Sequence, residues 1–236
     1  MEAGPPLAHP LINNQNKFHK QLEQMKKLLI FSLINLILIS CTPMAHKKDS
    51  GWINLFDGKS LNGWTAKENP ETFKIENGVI VVKGNRAHLF YTGPVMNHDF
   101  KNFELMVRLM TLPGSNSGIY FHTELQESGW PLKGYEVQVN NSHTDWRRTG
   151  SLYAIQDVRE VLVKDNEWYT EHIIVNGKNV TIKINDKTVV EYTEPDNVNR
   201  SKDMAGRLIS HGTFALQGHD PQSTVMFKEV MVRPLP

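Results

Sequence analysis

The feature that most limits how this chain can fold is a period-two alternation of apolar and polar residues that begins after Gly51. From Phe103 to Met110, for example, every odd-numbered residue is large and apolar, while Glu104 and Arg108 lie at even-numbered positions. Such alternation sends one row of side chains into a core and the next row to the opposite face of a strand. No window of adequate length keeps apolar residues at the period of a helix, because Gly, Pro and Asn interrupt it. The pattern predicts an all-β protein.

Turn residues divide this pattern into short strands. Asn77-Gly78 separates two runs within 73–82, and Asn176-Gly177 separates 172–175 from 180–184. Asn-Gly between alternating apolar runs is a strong short-range signal for a β-hairpin. Turn signals recur about every ten residues and predict roughly a dozen strands. A chain of this kind closes into a sandwich or a barrel, and the lack of βαβ alternation argues against a parallel sheet.

Residues 51–236 contain no internal repeat, low-complexity linker or domain boundary, so we expect one domain there. The whole chain carries 26 basic and 25 acidic residues. A charge balance this even gives no electrostatic footprint for nucleic acid or for an acidic membrane surface. Nucleic acid is therefore not an expected partner.

The single cysteine, Cys41, follows a segment with the layout of a secretory signal peptide. Lys26-Lys27 is a positive flank, and 28–39 is a mostly apolar run, shorter than the roughly 20 residues that a spanning helix needs. Residues 38–41, Leu-Ile-Ser-Cys, resemble a bacterial lipobox, in which the cysteine is lipidated and becomes the first mature residue. Acyl chains can hold a soluble domain on a membrane, so we expect membrane attachment through Cys41 only.

These signals divide the chain into three parts. Residues 1–41 are expected to be an over-extended N-terminus plus a lipoprotein signal peptide whose true start is Met25. Residues 42–50 are short, polar and basic, as suits a tether, and 51–236 form the folded domain. The predicted location is the bacterial cell envelope, with a lipid anchor on the periplasmic or outer-membrane face.

Several strands carry unusual polar side chains on the face that alternation turns away from the core. These side chains are Tyr, His, Glu and Gln, rather than the Lys, Glu and Thr of an ordinary solvated sheet. They offer directional hydrogen bonds and flat stacking surfaces with little net charge, which an array of sugar hydroxyls requires. We therefore predict a shared binding face. Its candidate residues are Tyr120, His122, Glu136, Gln138, Tyr153, Gln217 and His219.

The loop 141–150 is expected to leave this same face. Trp146 is a candidate stacking residue above the site, although the loop also has the composition of a surface salt-bridge cluster. His143 and Asp145 make a divalent metal possible, but their spacing defines no ligand set. No cofactor is otherwise implied.

An ordered set of motifs across 51–236 resembles the 3-keto-disaccharide hydrolase family, also described as 3-keto-glucoside 1,2-lyases and 3-keto-2-hydroxy-glucal hydratases. The resemblance implies a concanavalin A-like jelly-roll sandwich of two antiparallel sheets. The matching stretches are Leu55-Phe56-Asp57-Gly58-Lys59 with Leu61 and Gly63-Trp64, Asn116-Ser117-Gly118-Ile119-Tyr120-Phe121, Tyr135-Glu136-Val137-Gln138-Val139, Thr149-Gly150-Ser151-Leu152-Tyr153, Glu167-Trp168, Leu216-Gln217-Gly218-His219, and Val225-Met226-Phe227-Lys228.

The resemblance also implies an enzyme that cleaves 3-keto glycosides or disaccharides in glycan breakdown, by elimination across C1 and C2, by hydration, or by both. The alternative is a non-catalytic, lectin-like envelope domain that binds carbohydrate. In such an enzyme we expect Glu136 or His122 to be the base and the other to assist protonation. The remaining candidates hold the keto and hydroxyl oxygens of a small oxidised saccharide or line its pocket, and they are Tyr120, Gln138, His219, Tyr153 and Gln217.

Overall fold

The structure, a computed structural model, describes residues 51–236 together with Met1, Lys20 and Gln24. The signal segment, Cys41 and the tether lie outside the described residues, so their assignments stay predictions. Within the part of the chain that the structure describes, no helix is long and apolar enough to cross a bilayer.

Thirteen β-strands and three short 3-10 segments occur between residues 51 and 236. The 3-10 segments are Pro70–Thr72, Val95–His98 and Lys202–Met204. The strands are β1 (Ile53–Asn54), β2 (Trp64–Lys67), β3 (Phe73–Glu76), β4 (Val79–Val82), β5 (Ala87–Tyr91), β6 (Phe103–Thr111), β7 (Ser117–Thr123), β8 (Tyr135–Val139), β9 (Tyr169–Asn176), β10 (Asn179–Ile184), β11 (Lys187–Thr193), β12 (Thr213–Gly218) and β13 (Val225–Pro234).

These strands form two antiparallel sheets that share one core. The larger sheet has the order β11-β10-β9-β6-β13-β4-β3, with β1 paired to β13, and the smaller has the order β2-β5-β12-β7-β8. Their inner faces meet through aromatic rings: the centroid of Phe103 lies 5.8 Å from that of Phe121 and 4.9 Å from that of Phe214. The predicted all-β jelly-roll sandwich of two antiparallel sheets is therefore confirmed.

The two hairpins predicted from Asn-Gly are also confirmed. β3 and β4 pair across Asn77-Gly78, where both residues have positive φ, as a type I′ turn requires. β9 and β10 pair across Gly177-Lys178, one residue later than predicted, because Asn176 still pairs with Asn179. Gly177, with a φ of 59°, takes the first position of this turn, which fits type II′.

One strand places a carboxylic acid inside the core. Glu171 follows Tyr169 and precedes Ile173 in the buried row of β9, and its side chain is fully buried. Among the described residues, neither carboxyl oxygen has a hydrogen-bond partner of good geometry. Burial raises the pKa of Glu171 well above its usual value, against a smaller lowering by the N–H of Gly150. The folded protein therefore keeps Glu171 protonated at pH values where the unfolded chain ionises it.

We expect Glu171→Gln to raise the melting temperature, and to raise it more at about pH 8 than at about pH 5. The raised pKa means that stability is greatest below the pKa of the unfolded chain and falls as pH rises through the window up to the folded pKa. An amide does not titrate, so the gain should grow with pH, by about 1.4 kcal/mol for each unit by which the folded pKa exceeds the unfolded one, and each kcal/mol corresponds to about 2–4 °C. Thermal unfolding of Glu171→Gln and of the exposed control Glu191→Gln measures this. A gain that is equal at both pH values would contradict the burial argument.

Candidate active site

The smaller sheet brings polar side chains together in two adjacent rows on the face turned away from the core. In the first row, pairing of the strands puts His88 beside Gln217 and Gly118 beside Gln138. The register of β12 against β7 joins these two pairs into one row across four strands.

The second row is parallel to the first and lies two residues away from it on each strand. It runs from Phe90 through Ala215 and Tyr120 to Glu136, because each of these residues pairs with the next. Side chains two residues apart share a face of a strand, so both rows project to the same side. Tyr120 and Glu136 therefore stand directly beside Gln217 and the bare Cα of Gly118.

Glu136, on the edge strand β8, is held in place by three donors. The Tyr120 hydroxyl donates to Oε2 at 2.8 Å, the Gln217 amide donates to Oε1 at 3.0 Å, and Nη2 of Arg207 lies 3.4 Å from Oε2. Gly118 makes room for this arrangement, since a Cβ there would lie 2.5 Å from Oε1 of Glu136. The result is a carboxylate that is only 5% exposed and fixed in one orientation.

The surroundings of Glu136 suit it to accept a proton. Burial raises its pKa, and the charge of Arg207 with the hydrogen bonds from Tyr120 and Gln217 opposes part of that rise. A carboxylate offers about four lone-pair positions, so three donors leave one for a ligand. A carboxylate with a raised pKa is a stronger base than an exposed Glu.

A cavity of about 560 Å³ opens over these rows, which is within the usual range for small-molecule sites. Among the described residues, both amide atoms of Gln138, Oε1 of Gln217 and Oδ1 of Asn116 have no hydrogen-bond partner, although each atom is buried. Buried polar atoms in proteins are nearly always hydrogen-bonded, so these atoms mark a place for a polar ligand. Six of the predicted residues line the cavity, namely Tyr120, Glu136, Gln138, Tyr153, Gln217 and His219.

The prediction that His122 shares this face is wrong. β7 has one extra residue opposite the segment Thr213–Ala215 of β12, and His122 adopts a φ of +56° at this bulge. Its side chain therefore leaves the alternation: Nε2 donates to the carbonyl of Lys101 at 2.9 Å, and Nδ1 accepts the N–H of Ser210 at 3.2 Å. Burial lowers the pKa of His122 to about 4. The neutral ring ties three backbone segments together and does not line the cavity.

Trp146 is also outside the cavity lining, contrary to its predicted stacking role. The guanidinium of Arg159 lies 4.0 Å from the centre of its ring and that of Arg147 lies 4.6 Å away. Arg147 also lies 4.7 Å from the ring of Tyr153 and forms an ion pair with Asp157 at 3.2 Å. Trp146 thus belongs to a cation–π and salt-bridge cluster that Arg147 links to Tyr153.

Comparison with known proteins assigns the chain to a family. A family model described as a 3-keto-alpha-glucoside-1,2-lyase-like domain matches residues 51–233. The chain belongs to this family.

Similar proteins agree with this assignment in sequence and in fold. A 3-keto-disaccharide hydrolase of Bacteroides thetaiotaomicron is 30% identical over 169 residues, which are 60% of this chain and 58% of that protein. The chain therefore spans less than two thirds of the length of that curated relative.

Two crystal structures of candidate glycosyl hydrolases from Parabacteroides distasonis share the fold of this lyase-like domain. The first has a TM-score of 0.65 at 23% identity and covers 79% of this chain and 94% of its own. The second has a TM-score of 0.60 at 24% identity and covers 78% of this chain and 99% of its own.

The sequence analysis missed several residues of the site, including Trp130, Arg207 and His88. Trp130 lines the cavity from a loop, and Arg207 reaches Glu136 from a position 71 residues away in the chain, with no local signal for either. His88 packs edge-on against Tyr120 and Trp130, with centroid distances of 5.5 and 5.7 Å. The alternation of β5 does carry a signal for His88, because the apolar residues Ala87 and Leu89 flank it.

The sequence made a divalent metal at His143 and Asp145 possible, but the part of the chain that the structure describes does not surround these two residues with a ligand set. Between residues 51 and 236, no group of three or more His, Cys, Asp or Glu side chains is arranged to hold a metal ion. Nδ1 of His143 instead accepts the N–H of Asp145 at 3.1 Å and lies 3.4 Å from the amide of Asn116.

Proposed function

We propose that this protein cleaves 3-keto glycosides, with Glu136 as the base that removes the proton on C2 of the oxidised sugar. The observation that carries the proposal is the position of Glu136, a buried carboxylate held by three donors at the floor of a cavity. The description of the family and the name of the Bacteroides relative both refer to 3-keto sugars and support this choice of substrate.

A ketone at C3 relaxes the demands on the site. It acidifies the C2 proton, so a single base can start the reaction. Proton transfer to Glu136 leaves an enediolate, whose electron pair forms the C1–C2 double bond as the C1–O bond breaks. Water can then add to the resulting enone at C1, which gives net hydrolysis. An ordinary glycosidase needs two carboxylates roughly 5–10 Å apart, whereas the next residue of β8 on the same face is Gln138, which cannot titrate.

The groups around Glu136 suit the charges that this reaction creates. The guanidinium of Arg207 lies 3.4 Å from Glu136 and 5.2 Å from the centre of the Tyr120 ring. A buried cation there would stabilise the enediolate oxygen, which carries negative charge only during the reaction. The unpartnered amide atoms of Gln138 and Gln217 suit the neutral hydroxyls of the sugar.

The test compares p-nitrophenyl glucosides of either anomer with their 3-keto counterparts, measuring nitrophenol release and binding by calorimetry. We expect release only from the oxidised substrates, with the enone or 3-keto-glucose as the second product. Release from the unoxidised glucosides would instead indicate an ordinary glycosidase. Binding of either sugar without release would indicate the lectin-like alternative.

A further inference from the structure

A second polar pair borders the cavity just beyond the end of β12. His219 lines the cavity, and its Nδ1 lies 2.6 Å from Oδ2 of Asp220. Asp220 is itself fixed, because the N–H groups of Gln222 and Ser223 donate to Oδ1 and the Ser223 hydroxyl donates to Oδ2. Partial burial raises the pKa of Asp220, but these donors together with His219 outweigh that effect and hold the pKa below its usual value.

This pairing decides which nitrogen of His219 can act on a ligand. An ionised carboxylate only accepts hydrogen bonds, so Nδ1 must carry a proton. Nε2 is then the nitrogen that remains for a bound substrate. The ring is further held by Trp130 at 5.4 Å and His143 at 5.7 Å between centroids. A carboxylate at Nδ1 orients an imidazole and fixes its tautomer.

We propose that His219, oriented by Asp220, is the second proton-transfer residue of this site and protonates the oxygen that leaves C1. The inference rests on the proposed function. Glu136 takes the C2 proton, the C1–O bond breaks with its electron pair on the departing oxygen, and Nε2 of the His219 imidazolium gives that oxygen a proton. Glu136 then loses its proton to water and His219 regains one, so the cycle is balanced.

Other groups on the wall fit this role less well. The Tyr120 hydroxyl already donates its hydrogen bond to Glu136 and so is not available to a leaving oxygen. His122, which the sequence favoured as partner to Glu136, is bonded to two backbone groups away from the cavity. The Tyr153 phenol also lines the cavity and is included in the test as a competing proton donor.

Leaving-group dependence separates proton donation from a merely structural role. The substrates are p-nitrophenyl and methyl 3-keto-glucosides, whose leaving oxygens differ in their need for a proton. We expect His219→Gln to slow the methyl substrate by about 10²-fold or more and the p-nitrophenyl substrate by less than about tenfold. Tyr153→Phe should slow both substrates by the same factor.

Asp220→Asn provides a second variant that keeps the local turn. An amide can still accept from Gln222 and Ser223 at the position of Oδ1, but it presents N–H in place of the acceptor that faces His219. The same selective loss on the methyl substrate is expected. The matched control is His211→Gln, since His211 forms an exposed pair with Asp99 at 2.7 Å, and its turnover should equal that of the wild type.

Equal slowing of both substrates by His219→Gln would overturn the role of His219 alone. A wild-type protein that releases neither aglycone would overturn the proposed function and this inference together.

Discussion

Glu136→Gln is expected to lower the turnover of a 3-keto glucoside by about 10²–10⁴-fold, the usual contribution of a general base. The amide keeps the shape of the side chain but cannot take the C2 proton. The acid limb of the wild-type pH–rate profile should lie above the usual Glu value of 4.5, because burial raises the pKa of Glu136. Steady-state rates on p-nitrophenyl 3-keto-glucoside measure both effects.

A carboxylate elsewhere on the sandwich provides the control for this substitution. Glu104 on β6 accepts from Arg233 at 2.6 Å and contacts His172 at 2.9 Å, so it is another acid of low exposure that a cation and a polar side chain hold in place. Glu104→Gln should leave turnover unchanged. Thermal unfolding of both variants separates lost chemistry from lost structure. A Glu136→Gln protein that is folded and fully active would remove Glu136 from the mechanism.

Gly206→Ala is expected to lower turnover by about 10²-fold, the size of loss that a displacement of about 1 Å can cause in a positioned site. A Cβ on Gly206 would lie 1.9 Å from the carbonyl oxygen of Leu132, and backbone atoms cannot rotate away as a side chain can. The two segments would have to separate. They carry Leu132 on the cavity wall and Arg207 beside Glu136, so the cation should move away from the carboxylate.

The same substitution should cost about 1–3 kcal/mol of stability, as overpacking usually does. The control is Gly177→Ala in the β9–β10 turn, where an added Cβ meets no atom within 4 Å. Its φ of 59° should cost about 1–3 kcal/mol in backbone strain, with no effect on turnover. Unfolding and rate measurements on both variants therefore separate lost stability from a displaced Arg207. Full activity in Gly206→Ala would show that the segments move without changing the site.

Most of the strand faces followed from the sequence. The alternation of β6 and β8 correctly assigned which side chains enter the core, and it put Glu136 and Gln138 on the opposite face. Alternation is a local property of an extended chain, so a short stretch of residues is enough to reveal it. Gln217 and His219 could be placed on the cavity side in the same way.

The prediction failed where a strand departs from regular geometry. One extra residue in β7 turns His122 out of the alternation, and a bulge depends on pairing with β12, about 90 residues later in the chain. A shift of one residue in register moves a side chain to the other face, so a local pattern cannot reveal it. The prediction for Trp146 failed for a related reason. Its partners Arg147 and Arg159 contact the ring only in the folded loop.

The amino-acid sequence by itself determined the all-β class, the hairpins and the residue types available for chemistry, because these depend on neighbours along the chain. Only the tertiary structure decided which of those residues meet. Arg207 reaches Glu136, Gly118 leaves space for the carboxylate, and Asp220 forms a hydrogen bond with Nδ1 of His219. Contacts between distant residues depend on strand register and loop closure, and these are settled by packing of the whole sandwich.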